Sequence, residues 1–399
     1  MRRLWLIFAQ SATIALAVLF AVSVFKPELL PWRGNLVTVQ EIAPGSIAPK
    51  LVSHSDAASK AMPSVVNIFT SKEVPVRHPF MDDPVFRRFF GDRSSGSQTR
   101  RVSSLGSGVI VSPQGYILTN HHVVEAADEI EVALADGRTV RARTVGSDPE
   151  TDLAVVKVDL KNLPAITFGR SDQARVGDTV LAIGNPFGVG QTVTMGIVSA
   201  LSRSHLGINT FENFIQTDAA INPGNSGGAL VDGGGNLIGV NSAIYSRSGG
   251  SLGIGFAIPA SLAKQVMEQI IQNGSVTRGW IGVEVQDLTP ELAESFKLPN
   301  TNGTLIAGVL RGGPADRAGM KPGDILLAVN SKALTDSSSM LNLVSALPPG
   351  KIAALKMLRN QTEVMLQVSV GKRPKMQQPQ LSEQNFQMCL CRDDYGSRH

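Results

Sequence analysis

The stretch "GSGVIVSPQGYILTNHHVV", residues 106–124, decides how the rest of the chain is read. Two short apolar runs, "GSGVIVS" and "GYILTN", flank a turn signal, "SPQG", and the second run leads into two adjacent histidines, His121 and His122. Short apolar runs bounded by Gly, Pro and Ser read as strands. Histidine is scarce here, with six in 399 residues, so a pair next to a strand is a candidate for chemistry.

Working outward, "SVVNIFT", "EIEVALA", "TVRART", "DLAVVKV", "DTVLAIG" and "LIGVNSAI" repeat the pattern, separated by turn signals such as "ADG" and "DGGGN". Many short strands at close spacing, in a chain with 39 glycines, predict a mainly β fold of the sandwich or barrel kind. "SLAKQVMEQIIQNG" breaks this rhythm. Leu262, Val266, Ile270 and Ile271 recur at helical spacing, Ser261 is placed to cap the start, and Gly274 follows the end. This helix marks a boundary, giving a first domain over 57–273 and a second over 274–373. The second carries strands "IGVEVQ", "GTLIAGVL", "DILLAVN" and "EVMLQVSV", with short helices expected around Pro314 to Ala318 and Ser338 to Leu347. Residues 27–56, with Pro27, Pro31, Pro44 and Pro49, read as a linker, and the polar residues 374–399 as a disordered tail.

A formal net charge of +4 is small for this length, and no basic cluster with interleaved aromatics occurs, so nucleic acid is not an expected partner. Cys389 and Cys391 are the two cysteines, both in the tail, so the folded body has no disulfide framework. Two thiols fall short of a structural zinc site, and no other metal constellation appears; no metal or cofactor is expected. Arg2 and Arg3 precede 22 uncharged residues, Leu4 to Phe25, long enough to cross roughly 30 Å of hydrocarbon as a helix. Residues 1–26 therefore read as a membrane anchor whose flanking arginines send the body to an exported compartment. A cleavable signal ending at "AVS", Ala21 to Ser23, is the alternative.

"INPGNSGGAL" sets Ser226 among glycines. A nucleophilic serine needs an exposed hydroxyl and backbone N–H groups aimed at the developing oxyanion, which small residues allow. Gly224 and Ser226 are the natural donors, with Asn225 between them. The serine also needs a base and the base a carboxylate. Asp152 opens the apolar run "DLAVVKV", so histidine, aspartate and serine follow in the order 122, 152, 226. In an extended stretch neighbouring side chains face opposite ways, so only one of His121 and His122 is expected in the cleft; periodicity does not say which.

Together "GSGVIVSPQGYILTNHHVV", "SDPETDLAVVKV", "GNPFG", "IQTDAAINPGNSGGAL" and "GIGFAIP" resemble, in order, the HtrA family of PDZ-containing trypsin-like serine proteases. The resemblance covers Ala57 to Lys372. It implies a pair of six-stranded antiparallel barrels with a cleft between them, His122 as general base, Asp152 as its orienter and Ser226 as nucleophile. Asn225 stands where digestive relatives carry an aspartate, so activation by zymogen cleavage is not expected. Ala220 and Ile221, with Ile244, would line an uncharged specificity pocket preferring Val or Ala before the cut bond.

"RGWIGVEV" and "GGPADRAGMKPGDILLAVN" resemble a PDZ domain of the same family. Such a domain adds a peptide as an extra strand and holds its C-terminal carboxylate on backbone N–H groups. The resemblance gives Trp280, Ile281, Gly282 and Val283 that loop, and Leu341 and Val344 the side-chain pocket. One anchor, one protease domain and one PDZ domain are most like the membrane-anchored DegS type of this family. That implies a homotrimer of the inner membrane with its body in the periplasm, binding C-termini of misfolded proteins and cutting a membrane-bound anti-sigma factor. Arg203 and Phe187 match residues that relay PDZ occupancy to the oxyanion loop. The insertion at 78–101, with Phe80, Phe86, Phe89 and Phe90, is similar to a loop of the soluble degradative members. A housekeeping protease of misfolded envelope proteins is thus the alternative, and a PDZ binding or chaperone module with an idle protease domain a third reading.

Overall fold

The computed structural model describes residues 2–25, 40–41, 53–75, 99–125, 127–185, 190–244 and 250–374. They divide into two compact units, Met1–Val276 and Thr277–His399.

In the first unit, a two-residue strand β1 (Gln40–Glu41) precedes a helix, His54–Ala61. Strands β2 (Val65–Pro75), β3 (Thr99–Ile110), β4 (Tyr116–Thr119), β5 (Glu129–Ala133), β6 (Thr139–Asp148) and β7 (Leu153–Val158) close a barrel in the order β2-β3-β4-β7-β6-β5. The next strands are β8 (Thr167–Phe168), β9 (Thr179–Gly184), β10 (Thr192–Arg203), β11 (Phe214–Thr217), β12 (Ala229–Asp232), β13 (Leu237–Ile244) and β14 (Gly255–Pro259). Their sheet runs β13-β12-β9-β10-β11-β14, and β14 pairs back with β13, so six strands form a second ring. β8 and β1 extend it in parallel beyond β13. The pair of six-stranded barrels implied by the resemblance is present.

Strict alternation explains why so many of these strands read as unbroken apolar runs. In β7, Ala154, Val156 and Val158 fill the first barrel, while Leu153 and Val155 face out into a core shared between the barrels. In β9, Val180 and Ala182 fill the second barrel, and Leu181 and Ile183 join the same shared core. Each such strand is buried on both faces. Removing a Leu or Ile side chain from water contributes about 1.5–3 kcal/mol, so the shared core holds the barrels in one arrangement.

The helix Ala260–Asn273 covers that core with Ala263, Val266, Met267 and Ile270. It ends at Gly274, in the left-handed conformation at φ 71°. Its start differs from expectation. Pro259 occupies the cap position, Ser261 lies inside the first turn, and the Ser261 N–H donates to the Ser171 hydroxyl at 3.0 Å. A side chain distant in sequence does the capping that Ser261 was expected to do.

Arg2–Phe25 forms one 24-residue helix, on which Trp5 and Phe8 are each 72 % exposed. Among the described residues no helix is long and apolar enough to cross a membrane. Residues 27–39 and 42–52 of the expected linker, most of the insertion at 78–101, and the tail from 375 lie outside the described residues.

In the second unit, β15 (Gly279–Trp280) pairs with β22 (Gly371–Lys372). β16 (Val283–Asp287), β17 (Thr304–Val309), β18 (Ile325–Val329), β20 (Ile352–Arg359) and β21 (Thr362–Ser369) form an antiparallel sheet in that order, with β19 (Lys332–Ala333) beside β18. Helices Pro314–Arg317 and Ser337–Ser345 occur near the two expected positions. A third, Pro290–Ser295, follows a Thr289 cap that the sequence reading did not use. Ile281, Ile306, Leu326, Val344, Leu355 and Val368 belong to its core.

Candidate active site

Asp152 enters β7 from a turn with φ 58°, a left-handed conformation that costs a non-glycine residue about 1–3 kcal/mol. The surrounding bonds hold it there. Its carbonyl accepts from the His121 N–H at 3.1 Å and from Asn120 Nδ2 at 2.8 Å. Its carboxylate, in a residue 7 % exposed, accepts the His122 N–H at 3.0 Å and the Ser242 hydroxyl at 2.9 Å. Both carboxylate oxygens face His122 Nδ1, at 2.9 and 2.8 Å. A hydrogen on Nδ1 satisfies the aspartate and leaves Nε2 as the basic nitrogen. The His122 side chain is 47 % exposed, so a buried carboxylate orients a ring that solvent and substrate can reach.

The two histidines separate differently from the extended geometry expected of them. His121–Val124 is a single helical turn, which turns neighbouring side chains about 100° apart. His121 points its Nε2 toward Glu125 at 3.6 Å, and its Nδ1 is buried without a partner among the described residues. His122 alone of the two meets Asp152.

The segment around Ser226 is tied to both barrels, to Ser107 of β3 and to Asn241 of β13. The Asn225 N–H donates to the Asn222 carbonyl at 2.9 Å, and the Gly228 N–H to the Asn225 carbonyl at 2.9 Å. The Ser226 carbonyl accepts the Ser107 N–H at 2.8 Å. Gly227, at φ 83°, has no room for a side chain, because a Cβ there would overlap the Ser107 carbonyl and the Thr119 hydroxyl. Among the described residues, the N–H groups of Gly224 and Ser226 have no protein partner. They are the free donors of this segment, whereas Asn225 spends its N–H on the turn and contributes position only. The Ser226 hydroxyl donates to the Ser242 carbonyl at 3.2 Å rather than to His122. Ser242 thus touches both Asp152 and Ser226, a link that sequence reasoning missed.

Ile221 is 1 % exposed inside the second barrel, so its side chain is core. Ala220 is half-buried with its carbonyl bonded to the Thr194 hydroxyl at 2.8 Å, and Ile244 packs partly buried against the same core. Arg203 is exposed, with Nε donating to Gln216 Oε1 at 2.9 Å. Phe187 lies outside the described residues. The connection from β10 to β11 docks on the turn before Asp152, through Phe211 N–H to the Glu150 carbonyl at 3.0 Å and Asn209 Nδ2 to the Thr151 carbonyl at 3.3 Å.

In the second unit, Gly282 turns the chain at φ 77° between Ile281, a core residue, and Val283, the start of β16. The carbonyls of Ile281 and Gly282 are taken by the N–H groups of Ala315 and Leu310, each at 2.9 Å. Their own N–H groups have no partner among the described residues. β16 is an edge strand, so a further strand can pair beside it. Trp280 stacks over Gly282: a Cβ on that glycine would lie 3.0 Å from the indole. Of the two expected pocket residues, Val344 is buried in the core and Leu341 is half-buried.

Residues 106–240 match the trypsin-like peptidase domain family and residues 279–370 the PDZ domain family. A probable periplasmic serine endoprotease, DegP-like, of Chlamydia muridarum is 49 % identical over 298 residues, covering 74 % of this chain and 60 % of that protein. Its counterpart in Chlamydia pneumoniae is 44 % identical over 367 residues, covering 87 % and 75 %. A solved HtrA-type protease, AlgW with a decapeptide, is 59 % identical with a TM-score of 0.69, covering 82 % of this chain and 100 % of that one. The chain spans 60 % of the length of the first of these relatives.

Proposed function

The chain belongs to the HtrA-type serine endoproteases, and from that premise we propose that it is a periplasmic serine endopeptidase gated by peptides at its PDZ domain. The observation that carries the catalytic part is the buried Asp152 holding Nδ1 of an accessible His122 beside a segment with two free N–H donors. Ser226 Oγ rotates from the Ser242 carbonyl toward His122 Nε2, gives up its proton and attacks the scissile carbonyl. The N–H groups of Gly224 and Ser226 take the oxyanion, His122 protonates the leaving amine, and water hydrolyses the acyl-enzyme by the same route.

The regulatory part rests on the second unit. The free N–H groups of Ile281 and Gly282 suit a peptide's terminal carboxylate, and the edge of β16 suits its backbone. A relative solved with a decapeptide favours the same use. Residues 57–273 and 274–373 are the two working domains of this reading. On this reading Arg203 and Phe187 relay occupancy, the uncharged run Leu4 to Phe25 behind Arg2 and Arg3 holds the protein at the inner membrane, and a homotrimer cleaves an anti-sigma factor in response to misfolded C-termini. A second reading, a housekeeping protease of misfolded envelope proteins, is favoured by the relatives that are named DegP-like.

The deciding experiment measures cleavage of an unfolded protein by the purified full chain, with and without peptides ending in an apolar residue, and with Ser226→Ala as control. Strong activation by peptide is expected. High basal activity indifferent to peptide would favour the housekeeping reading. Binding without cleavage in either condition would leave the protein a PDZ binding module.

A further inference from the structure

Ser107 lies on β3, at 0 % exposure, and has no part in the triad. Its hydroxyl makes two bonds. It donates to the Gly224 carbonyl at 2.7 Å and accepts the Asn185 N–H at 2.9 Å. Its backbone N–H donates to the Ser226 carbonyl at 2.8 Å. One residue of the first barrel thus grips the carbonyls on both sides of Asn225.

Peptide planes are rigid, so holding a carbonyl oxygen also fixes the direction of the N–H on the same plane. The Gly224 carbonyl, held by Ser107, turns the Asn225 N–H onto Asn222 and sets the backbone from which the Ser226 N–H projects. Gly224 sits at φ 103°, a conformation open to glycine; its N–H lies on the preceding peptide plane, which the anchored carbonyl restrains only through the rotation left at the Gly224 Cα. On the other side of the same oxygen, Asn185 begins the connection from β9 to β10. Asn185 Oδ1 accepts the Gly190 N–H at 2.8 Å, tying the two ends of that connection together. The junction has no slack: a Cβ at Gly184 would lie 2.7 Å from Asn225 Oδ1 and 3.0 Å from Ser107 Oγ.

We propose that the Ser107 hydroxyl is a positioning residue for the oxyanion donors, joining Asn185, at the end of β9, to the Ser226 segment through a single oxygen. The proposal rests on Ser226 being the nucleophile. Donors held in place before the reaction stabilise the tetrahedral state without reorganising, so loosening them lowers turnover and leaves ground-state binding alone.

The test compares the full chain with its Ser107→Ala variant on a peptide substrate, a peptidyl boronate ending in valine, and the cleaved peptide product. The boronate forms a tetrahedral adduct that needs the oxyanion donors; the product does not. The expected result is a fall in kcat of about 10- to 100-fold, below the 10²–10³ of deleting a donor outright, with a parallel loss of boronate affinity. KM and product affinity are expected to stay within about twofold. A purely structural hydroxyl would lower the unfolding temperature yet leave kcat per folded molecule and boronate affinity unchanged, which overturns the proposal. Should Ser107→Ala fail to fold, Ser107→Cys, similar in size but a poor donor, is read in the same way. Ser226→Ala separates the two claims, because cleavage that survives it removes the nucleophile reading, not the role of Ser107.

Discussion

Asp152 in "TDLAVVKV" and Asp324 in "GDILLAVN" each stand one residue before a buried strand, β7 and β18, and are 7 % and 2 % exposed. Their partners set them apart. Asp324 takes Arg359 through both oxygens, Nε at 2.7 Å and Nη2 at 2.6 Å, and also the Lys321 N–H at 2.8 Å. Its hydrogen bonds to Asp324 hold Arg359 still more firmly charged than a free guanidinium. That pair is closed and closes the turn before its strand. Asp152 instead faces an imidazole that can gain and lose a proton, a serine hydroxyl and a backbone N–H, from a strained left-handed turn. A buried carboxylate whose partners are saturated holds a fold together, whereas one whose partner is an exposed imidazole is placed for chemistry.

Substitutions test that contrast. The largest effect is expected at Asp152→Asn, where loss of the charge that orients His122 should lower kcat by about 10⁴ in a steady-state peptide assay. An intact rate would make Asp152 a fold aspartate like Asp324. Next, Asp324→Ala strands Arg359 and should destabilise the second unit by about 3 kcal/mol in denaturant unfolding. Basal cleavage by the first unit, measured without an activating peptide, should not change, and a large loss of that basal kcat would break the contrast from the other side. Ser242→Ala removes one hydrogen bond to the Asp152 carboxylate and keeps the carbonyl that Ser226 uses; kcat should fall about tenfold, in line with about 1.5 kcal/mol for a bond to a charged group. His121→Ala should leave activity within about twofold, since its ring meets Glu125 and not Asp152. A loss as large as that of His122→Ala would reverse the assignment of the pair.

Much of the architecture was legible because its cause is local. Alternation along "DLAVVKV" assigns Leu153 and Val155 to one face and Ala154 and Val156 to the other whatever lies beyond. The helix at 260–273 follows from its apolar spacing and Gly274. Local pattern misleads where a distant group intervenes. Ser261 reads as a cap until Ser171 takes that place. His121 and His122 read as extended until the Asp152 carbonyl takes the His121 N–H and a helical turn begins. Asn225 reads only as the residue between two donors until its N–H is found closed on the Asn222 carbonyl.

By itself, then, the sequence determined many of the segments that become strands, and which histidines, aspartate and serine are candidates for the chemistry. Only the tertiary structure decided what those side chains touch. Ser242 meets Asp152 across 90 residues, and Ser107 meets Gly224 across 117. The physical reason is range. Burial periodicity is written into neighbouring residues, but a buried polar group must find its partner wherever the fold brings one within about 3 Å, and no local pattern records that meeting.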